Sequence, residues 1–281
     1  MHAPKSASLI TVCVSLLGAN LLGAQHYPNH LEDTWEATLS GAVVLLSSKL
    51  RVDGEASQGT NINVEDILGL DKNKVQPRVA LAWRPWRRHR FEVGYQWVRR
   101  SAEKTLEQQF VFRDSTYHVG ELVKTNFDSD QLFFTYRFAI MASDRSEAGI
   151  GVGLGALFMN VNLDVLATGG GGGTVGVARG RSLTAPTGSL GAYGKWRVGS
   201  RSYIDADLRA IKVNTKWFDA TIWEGNGGYR YFFTEKFGGE LGYGISSFEL
   251  TVKKTRASGG DIDTFVRYTL QNLRLGIVTA L

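Results

Sequence analysis

The residues that could do chemistry in this chain are charged side chains spaced two apart within short alternating stretches. Asp205, Asp207 and Arg209, for example, are separated only by Ala206 and Leu208. Because neighbouring side chains of an extended strand point to opposite faces, this spacing puts the charges on one face and the apolar groups on the other. Charges gathered in one interior can pair into a network or line a narrow path for small solutes and ions. The predicted interior set is Glu92, Arg137, Asp205, Asp207, Arg209, Glu224 and Arg230.

The stretch from Arg90 to Trp97 shows which kind of element must position these charges. It alternates strictly between an apolar, aromatic face and a polar or small face. The first face carries Phe91, Val93, Tyr95 and Trp97, and the second carries Glu92, Gly94 and Gln96. This period of two predicts a β-strand with one wall against an apolar medium.

Similar stretches recur along the chain, and their number predicts about ten strands, with eight or twelve also possible. One of them places glycine at every second position from Gly149 to Gly155. A wall without side chains leaves room for bulky neighbours in a lumen. The chain has 33 glycines and only 5 prolines, which favours closely packed strands over disorder.

The N-terminal residues 1–24 are typical of an export signal. Lys5 precedes an apolar run from Leu9 to Leu22, which is too short to span a bilayer as a helix. Cleavage is expected after Ala24.

The predicted export signal divides the chain into three parts. After the signal, residues 25–33 form a short linker and residues 34–281 form the folded domain. The only cysteine, Cys13, lies within the signal. The exported domain would therefore have no disulfide, no thiolate metal ligand and no cysteine nucleophile.

The apolar faces of the strands fit lipid better than they fit a soluble core. A soluble barrel with the same alternation, such as a lipocalin, would not tolerate unpaired charges in an apolar cavity. Aromatic residues also fall beside the predicted short turns, as in the interfacial girdle of a membrane barrel. They are Trp83, Phe91, Phe138, Trp196, Tyr203, Tyr231, Phe233 and Phe237. The sequence therefore predicts an all-β fold, a closed antiparallel up-and-down transmembrane β-barrel with lipid outside and a polar interior.

The connections between the predicted strands alternate between short turns and longer segments, which is typical of this class of barrel. The longest segments span residues 48–74 and 101–126. The first contains residues 63–71, where a short helical turn is expected to pack Ile67 and Leu68 onto the barrel rim. In the second, residues 105–112 are predicted to form a hairpin that extends the barrel.

The export signal, the alternating strands and two segments together resemble outer-membrane β-barrel proteins of Gram-negative bacteria. The segments are NVEDILGLD at 63–71 and WRPWRRHRFEVGY at 83–95, and the resemblance is to an uncharacterised group of such barrels over essentially the mature chain. It implies location in the outer membrane after signal-dependent export, contact with its lipid and lipopolysaccharide, and insertion by the barrel-assembly machinery. Such barrels usually end in an aromatic residue, whereas Leu281 is last here. The apolar alternation of the last strand is retained, so insertion is still expected.

Basic residues in the predicted loops are candidates for contact with lipopolysaccharide phosphates. The alternative is that they only keep the loops soluble. They are Arg179, Arg181, Lys253, Lys254 and Arg256. The net charge of +5 is spread along the chain, so no nucleic-acid partner is expected.

Some barrels of this class are peptidases or lipid A-modifying enzymes, and their chemistry needs a histidine at the outer mouth. Only His118 meets this requirement, in a predicted loop with Asp114 and Ser115. Because neighbours in a loop lack the rigid scaffold of a triad, we expect His118 to be a solvated loop residue. The glycine run 169–173 lacks the Lys-Ser/Thr of a phosphate-binding loop. No cofactor and no metal site are expected.

The leading prediction is a non-enzymatic outer-membrane barrel with a structural, adhesive or receptor-like role, or a narrow pore for small solutes. The alternative is a barrel enzyme that acts on lipid A or peptides at the extracellular rim. The sequence does not specify the oligomeric state.

Overall fold

Alternating sequence along almost the whole chain produces long antiparallel strands. The computed structural model describes residues 28–167, 178–255 and 261–281, so the predicted signal lies outside the described residues. The elements in chain order are β1 (Trp35–Val52), β2 (Ile62–Asn63), α1 (Val64–Leu68), β3 (Asn73–Trp86), β4 (His89–Thr105), β5 (Phe110–Phe112), β6 (Ser115–Tyr117), β7 (Leu122–Ala142), β8 (Ser146–Ala167), β9 (Ala178–Arg197), β10 (Ser202–Asn214), β11 (Phe218–Phe232), β12 (Phe237–Thr255) and β13 (Asp261–Ala280).

Ten of these strands form a closed ring, because β13 pairs with β1 along almost its whole length. Partner residues followed once around the ring from Trp35 lead back to β1 at Ser47, twelve positions further along. Ten strands with a stagger of twelve residues tilt by about 40° to the barrel axis, as membrane barrels do. The predicted closed antiparallel barrel of about ten strands is confirmed.

The ring has two unlike ends. At the turn end, which also holds Trp35 and Ala280, successive strands are joined at residues 87–88, 143–145, 198–201 and 233–236. At the loop end, the connections include residues 53–72 and 106–121, whereas β10 and β11 are joined by residues 215–217 alone.

The outer face of the ring is apolar over a broad band. Phe134, Leu154 and Leu208, all predicted to face lipid, have 41%, 60% and 64% of their surface exposed. Large exposed aromatic residues mark the turn end of this band, as predicted for an interfacial girdle. They include Trp35, Trp83, Trp196, Phe233 and Phe237.

The predicted place of Tyr203 in that girdle is wrong. Its side chain points into the barrel and is fully buried against Phe232 and His30. The adjacent Ile204 is exposed and takes the outward position.

The prediction of a polar interior holds only for the middle and the turn end of the barrel. In the loop-end half, inward side chains form one continuous apolar core. β1 continues to Val52, into the predicted connection 48–74, and its Leu50 and Val52 are buried in this core. Leu157, Val161 and Leu163 of β8 are buried in the same core. The interior becomes apolar there because loop segments fold into it.

Two segments of the long connections complete this core. The predicted helical turn is present as α1, which begins at the cap Asn63 and ends at Gly69, a residue with positive φ. Its Leu68 is buried, and Ile67 packs against the core.

The predicted hairpin is also present, as β5 and β6, but it does not extend the barrel wall. It forms a separate two-stranded sheet. Its Phe110, Phe112 and Tyr117 are buried in the apolar core. We call α1 and this hairpin together the mouth plug. Among the described residues, no helix is long and apolar enough to cross a membrane.

Candidate functional site: the charged lumen

All seven charged residues predicted for the interior lie around one cavity in the middle of the barrel. The cavity has a volume of about 130 Å³, which is room for several water molecules. Its wall towards the loop end includes Ile222, Phe248 and Leu270 of the apolar core. The seven residues are Glu92, Arg137, Asp205, Asp207, Arg209, Glu224 and Arg230.

A buried carboxylate, Glu36, organises the turn end of this network. Its Oε1 lies 2.8 Å from Arg90 Nη2 and 2.6 Å from Arg230 Nη1, and its Oε2 lies 3.5 Å from Lys195 Nζ. Glu36 itself stands on β1 between outward-facing Trp35 and Ala37. One carboxylate therefore contacts cations from three other strands.

Arg230 extends the network across β11 to β12 and β10. Its Nε lies 3.0 Å from Glu240 Oε2 and 3.4 Å from Asp205 Oδ1. Arg274 Nε donates a hydrogen bond of 2.7 Å to the other oxygen of Glu240. Each charge in this part of the lumen is thus held by partners from neighbouring strands.

The middle of the lumen repeats this pattern around Glu92. Arg78 Nη2 donates to Glu92 Oε1 at 2.9 Å, and Arg137 Nη1 lies 3.4 Å from Oε2. Arg137 also approaches Asp207 at 3.9 Å and stacks over the ring of Tyr193.

Arg209 joins the two remaining predicted carboxylates. Its Nε donates to Asp207 Oδ2 at 3.2 Å, and its Nη2 lies 3.2 Å from Glu224 Oε2. Asn226 Nδ2 donates to the same oxygen of Asp207 at 3.2 Å.

The charges of the lumen are nearly balanced over the described residues. Eight basic residues face seven carboxylates, and every one of the fifteen has an opposite charge within 4 Å. The basic residues are Arg78, Arg84, Arg90, Arg137, Lys195, Arg209, Arg230 and Arg274, and the carboxylates are Glu36, Glu92, Glu147, Asp205, Asp207, Glu224 and Glu240. Because each of these charges already has an ion-pair partner, a solute crossing the lumen would have to displace ion pairs.

Glycines on the inner wall make room for the long arginine side chains. A Cβ at Gly153 would lie 2.5 Å from Ser189 Oγ and 3.2 Å from Arg209 Nη1. A Cβ at Gly242 would lie 2.7 Å from Arg274 Nη2. On β8, Gly153 therefore leaves room for Arg209 in the lumen, in line with the predicted use of this glycine wall.

The predicted set of seven lacks eight members of the network. Five of them follow the alternation within their strands: Arg78, Arg84, Lys195, Glu240 and Arg274. The other three are Glu36, Arg90 and Glu147. Glu147 accepts hydrogen bonds from Arg84 at 2.6 Å and from the Tyr193 hydroxyl at 2.7 Å. All three stand at strand ends that read as turns or as the first residues of a strand. These three residues could have been found by continuing the alternation of each strand by one or two residues into the adjoining turn.

The mouth plug is tied to the barrel wall by one buried ion pair. Arg100 Nη1 on β4 donates to Glu65 Oε1 of α1 at 2.7 Å, and both side chains are 1% exposed. The second oxygen of Glu65 accepts the backbone N–H of Ser48 at 2.8 Å. Arg100 also packs over the ring of Phe127.

Residues 30 and 31 of the predicted linker are buried at the opposite end of the lumen. His30 is buried, its ring stacks on Phe232 at 3.5 Å, and its backbone N–H donates to the Tyr203 hydroxyl. Its Nδ1 is 2.8 Å from Asp33 Oδ2. Leu31 joins Tyr203 and Phe232 in a small apolar cluster.

The structure uses Asp114 for loop architecture. Its carboxylate accepts the backbone N–H groups of Glu55 and Ala56 at 3.0 and 2.9 Å. His118 is exposed, and its backbone N–H donates to Glu121 Oε2. Over the described residues, no three His, Asp or Glu side chains are grouped as metal ligands.

No family model matches the sequence, and no curated protein does. Among solved structures, the barrel is similar to the outer-membrane protease OmpT from Escherichia coli, with a TM-score of 0.55, 7% identity, and coverage of 88% of this chain and 96% of OmpT. Ail, the attachment invasion locus protein of Yersinia pestis, matches at a TM-score of 0.35 and 11% identity, over 85% of this chain and 98% of Ail. The toluene transporter TodX of Pseudomonas putida matches at 0.36 and 8%, over 90% and 91%. The match to OmpT, together with the closed ring of ten strands, shows that the chain has the fold of an outer-membrane β-barrel.

Proposed function

We propose that this protein is a non-enzymatic integral outer-membrane barrel with a structural, adhesive or receptor-like role and a lumen closed to solutes. The observation that carries the closed lumen is the apolar core across its loop-end half. A conducting path would have to cross that core and then the paired charges beneath it. Apolar side chains without a water path exclude ions.

The membrane location is supported by the distribution of apolar surface. The outer band carries exposed Leu, Ile, Val and aromatic side chains on every long strand, whereas the charges lie inside. With the short turns on the periplasmic side, the loop end faces the outside of the cell. Membrane lipid, lipopolysaccharide and the barrel-assembly machinery are the partners that this placement requires, after export through the predicted signal.

Single-channel recording in planar bilayers tests the closed lumen. We expect no steady conductance from the wild-type protein once it is inserted. Its insertion is checked separately by protease protection in vesicles. A variant with residues 107–119 replaced by a short glycine–serine linker loses the β5–β6 part of the mouth plug and is expected to show brief openings. Stepwise conductance of the wild type would contradict the proposal and favour the narrow pore.

The non-enzymatic part of the proposal has its own test. Cells that express the wild type and cells that express His118→Ala are expected to have the same lipid A mass spectrum and the same surface peptidase activity as cells without the protein. A modification of lipid A or a cleaved peptide that depends on the wild type, and disappears in His118→Ala, would support a barrel enzyme instead.

A further inference from the structure

β10 and β11 are short, so the turn that joins them lies closer to the turn end of the barrel than the tips of the longer strands do. β10 and β11 have 13 and 15 residues, whereas β7 and β8 have 21 and 22. Their joining turn, residues 215–217, places Trp217 at the tip with 63% of its surface exposed.

The height of this tip follows from the barrel geometry. Outward-facing Trp223 lies ten residues along from outward-facing Phe233 at the turn end, which corresponds to roughly 25 Å along the barrel axis for strands tilted by about 40°. That is the height of the apolar band of an outer-membrane barrel. Trp223 therefore marks the outer interface, and Trp217 stands in the headgroup layer above it.

Two lysines flank this tip. Ala210 pairs with Trp223, and Lys212 is the next outward position of β10, about 5 Å further from the band. Lys216 lies in the turn, with its Nζ 4.5 Å from the centre of the Trp217 ring. Both lysines are exposed.

The two lysines carry charge that the protein does not neutralise. Over the parts of the chain that the structure describes, neither has a carboxylate at ion-pair distance. The neighbouring Asp219 is bound by Lys253 at 2.6 Å. Lys253 was one of the loop residues expected to contact lipopolysaccharide, and its charge is taken up by that pair. The side chains of Arg179, Lys254 and Arg256 lie outside the described residues.

On the far side of the barrel, the outward-facing basic residues of the same layer have carboxylate partners. Arg99 on β4 is bound to Asp130 and lies 3.9 Å from Asp128 on β7. Further out, Lys124 lies 3.4 Å from Glu103. The outward cations on β4 and β7 are therefore paired, unlike Lys212 and Lys216 at the β10–β11 tip.

We propose that Lys212, Lys216 and Trp217 form a docking surface for the phosphorylated sugar headgroup of an outer-leaflet glycolipid. Lysine ammonium groups at this height pair with phosphates, and an exposed tryptophan packs against a sugar ring at the interface. The low tip gives a headgroup access from the side, beneath the taller neighbouring strands. This inference rests on the membrane placement proposed above.

The test compares lipid binding by purified full-length protein in nanodiscs of zwitterionic lipid, measured by fluorescence transfer to labelled lipid. The probes are bis-phosphorylated lipid A, dephosphorylated lipid A and phosphatidylglycerol. The variants are Lys212→Ala/Lys216→Ala and Trp217→Ala, with Lys236→Ala as the matched control. Lys236 is exposed in a turn at the opposite end.

We expect the double lysine variant to bind bis-phosphorylated lipid A roughly tenfold to thirtyfold more weakly than the wild type. Trp217→Ala is expected to bind bis-phosphorylated and dephosphorylated lipid A more weakly than the wild type does. Lys236→Ala is expected to bind both as tightly as the wild type does. Equal binding by the double variant and the wild type overturns the inference, and so does phosphatidylglycerol bound as tightly as lipid A and with the same lysine dependence. Failure of the wild type to insert into nanodiscs would instead count against the membrane placement.

Discussion

Strand β8 differs between its two halves in what it presents to the inside and to the outside of the barrel. Near the turn end, Ile150 and Leu154 face outward while the inner wall is glycine. Near the loop end, Asn160 stands on the outer face and Met159 and Val161 are buried inside. The pattern inverts because the surroundings change from lipid to water outside, and from paired charges to the mouth plug inside.

This inversion divides the barrel into two differently stabilised regions. The loop-end half gains stability from apolar burial, like the core of a soluble protein. The turn-end half contains a charge network whose desolvation cost is offset only when every partner is present. The charged half should therefore be sensitive to the loss of one group, and the apolar half to the loss of volume.

The largest effect is expected from Glu36→Ala, because it leaves Arg90, Arg230 and Lys195 without their shared carboxylate. Loss of one member of a buried ion pair costs about 5 kcal/mol at the upper end of the observed range. The measurement is the free energy of unfolding in urea from lipid vesicles. Glu32→Ala, at an exposed carboxylate 4.0 Å from Arg87, is the control and should change it by less than about 0.5 kcal/mol.

In the apolar half, Phe110→Ala is expected to destabilise the protein by about 4 kcal/mol, through lost burial and an unfilled cavity. Phe110 is 1% exposed and stacks on Tyr117 at 4.8 Å. Val119→Ala, exposed in the same connection, is the matched control. An effect of Phe110→Ala below about 1 kcal/mol in the same unfolding assay would show that the hairpin does not contribute to the core.

The Glu65–Arg100 pair is the exception in the comparison, since it is an ion pair within the apolar half. Each single change, Glu65→Leu or Arg100→Leu, should cost about 3 kcal/mol because the remaining charge is buried alone. The double variant should cost no more than one single change, about 3 kcal/mol instead of the additive sum of about 6 kcal/mol, which is a coupling of about 3 kcal/mol in a double-mutant cycle. Strictly additive effects would mean that the two charges do not act as a pair.

The smallest effect concerns the exposed edge of the apolar half. Hydrogen bonds from the backbone N–H groups of Ala56 and Glu55 hold the pKa of Asp114 below its ordinary value of 3.8. Because the pKa is depressed on folding, the contribution is present above pH 3.8 and is lost as the pH falls through the lower folded value.

Hydrogen exchange at Glu55 and Ala56 should accordingly be slow at pH 5, after correction for intrinsic rates, and should lose protection when the pH is lowered past that value. In Asp114→Asn the protection should be weak at both pH values. Equal pH dependence in wild type and variant would assign the effect to another group.

Most of the barrel could be predicted from the sequence because its walls have a period of two. Asp207 and Arg209 alternate with apolar neighbours, which fixes the face on which each side chain lies. The apolar half of the lumen could not be predicted in this way. Leu50 and Val52 stand in a segment that reads as a polar loop, and Phe110 stands in a hairpin expected to extend the barrel. Only the long-range fold of these segments shows what the three side chains pack against.

The network could be predicted in part, for a related physical reason. Glu92 and Arg137 lie in mid-strand, where alternation is unambiguous, whereas Arg90 and Glu147 lie where a strand merges with a turn. At Trp83–Trp86 the pairing with β4 shifts its register, so counting by twos breaks down there. At strand ends, therefore, the sequence pattern no longer shows which side chains face the lumen.

The seam between β1 and β13 has a consequence for biogenesis. Asp53 accepts the backbone N–H of Asp263 across it, although the two residues are 210 positions apart in sequence. Such distant partners meet late and slowly, since a long loop must be closed before any contact rewards it. The segments that fill the mouth come from the first half of the chain, so they can be in place before the last strand arrives. An intermediate in which β1 and β13 are not yet paired would then already contain the apolar core. It would have to be kept from associating with other chains until the ring closes.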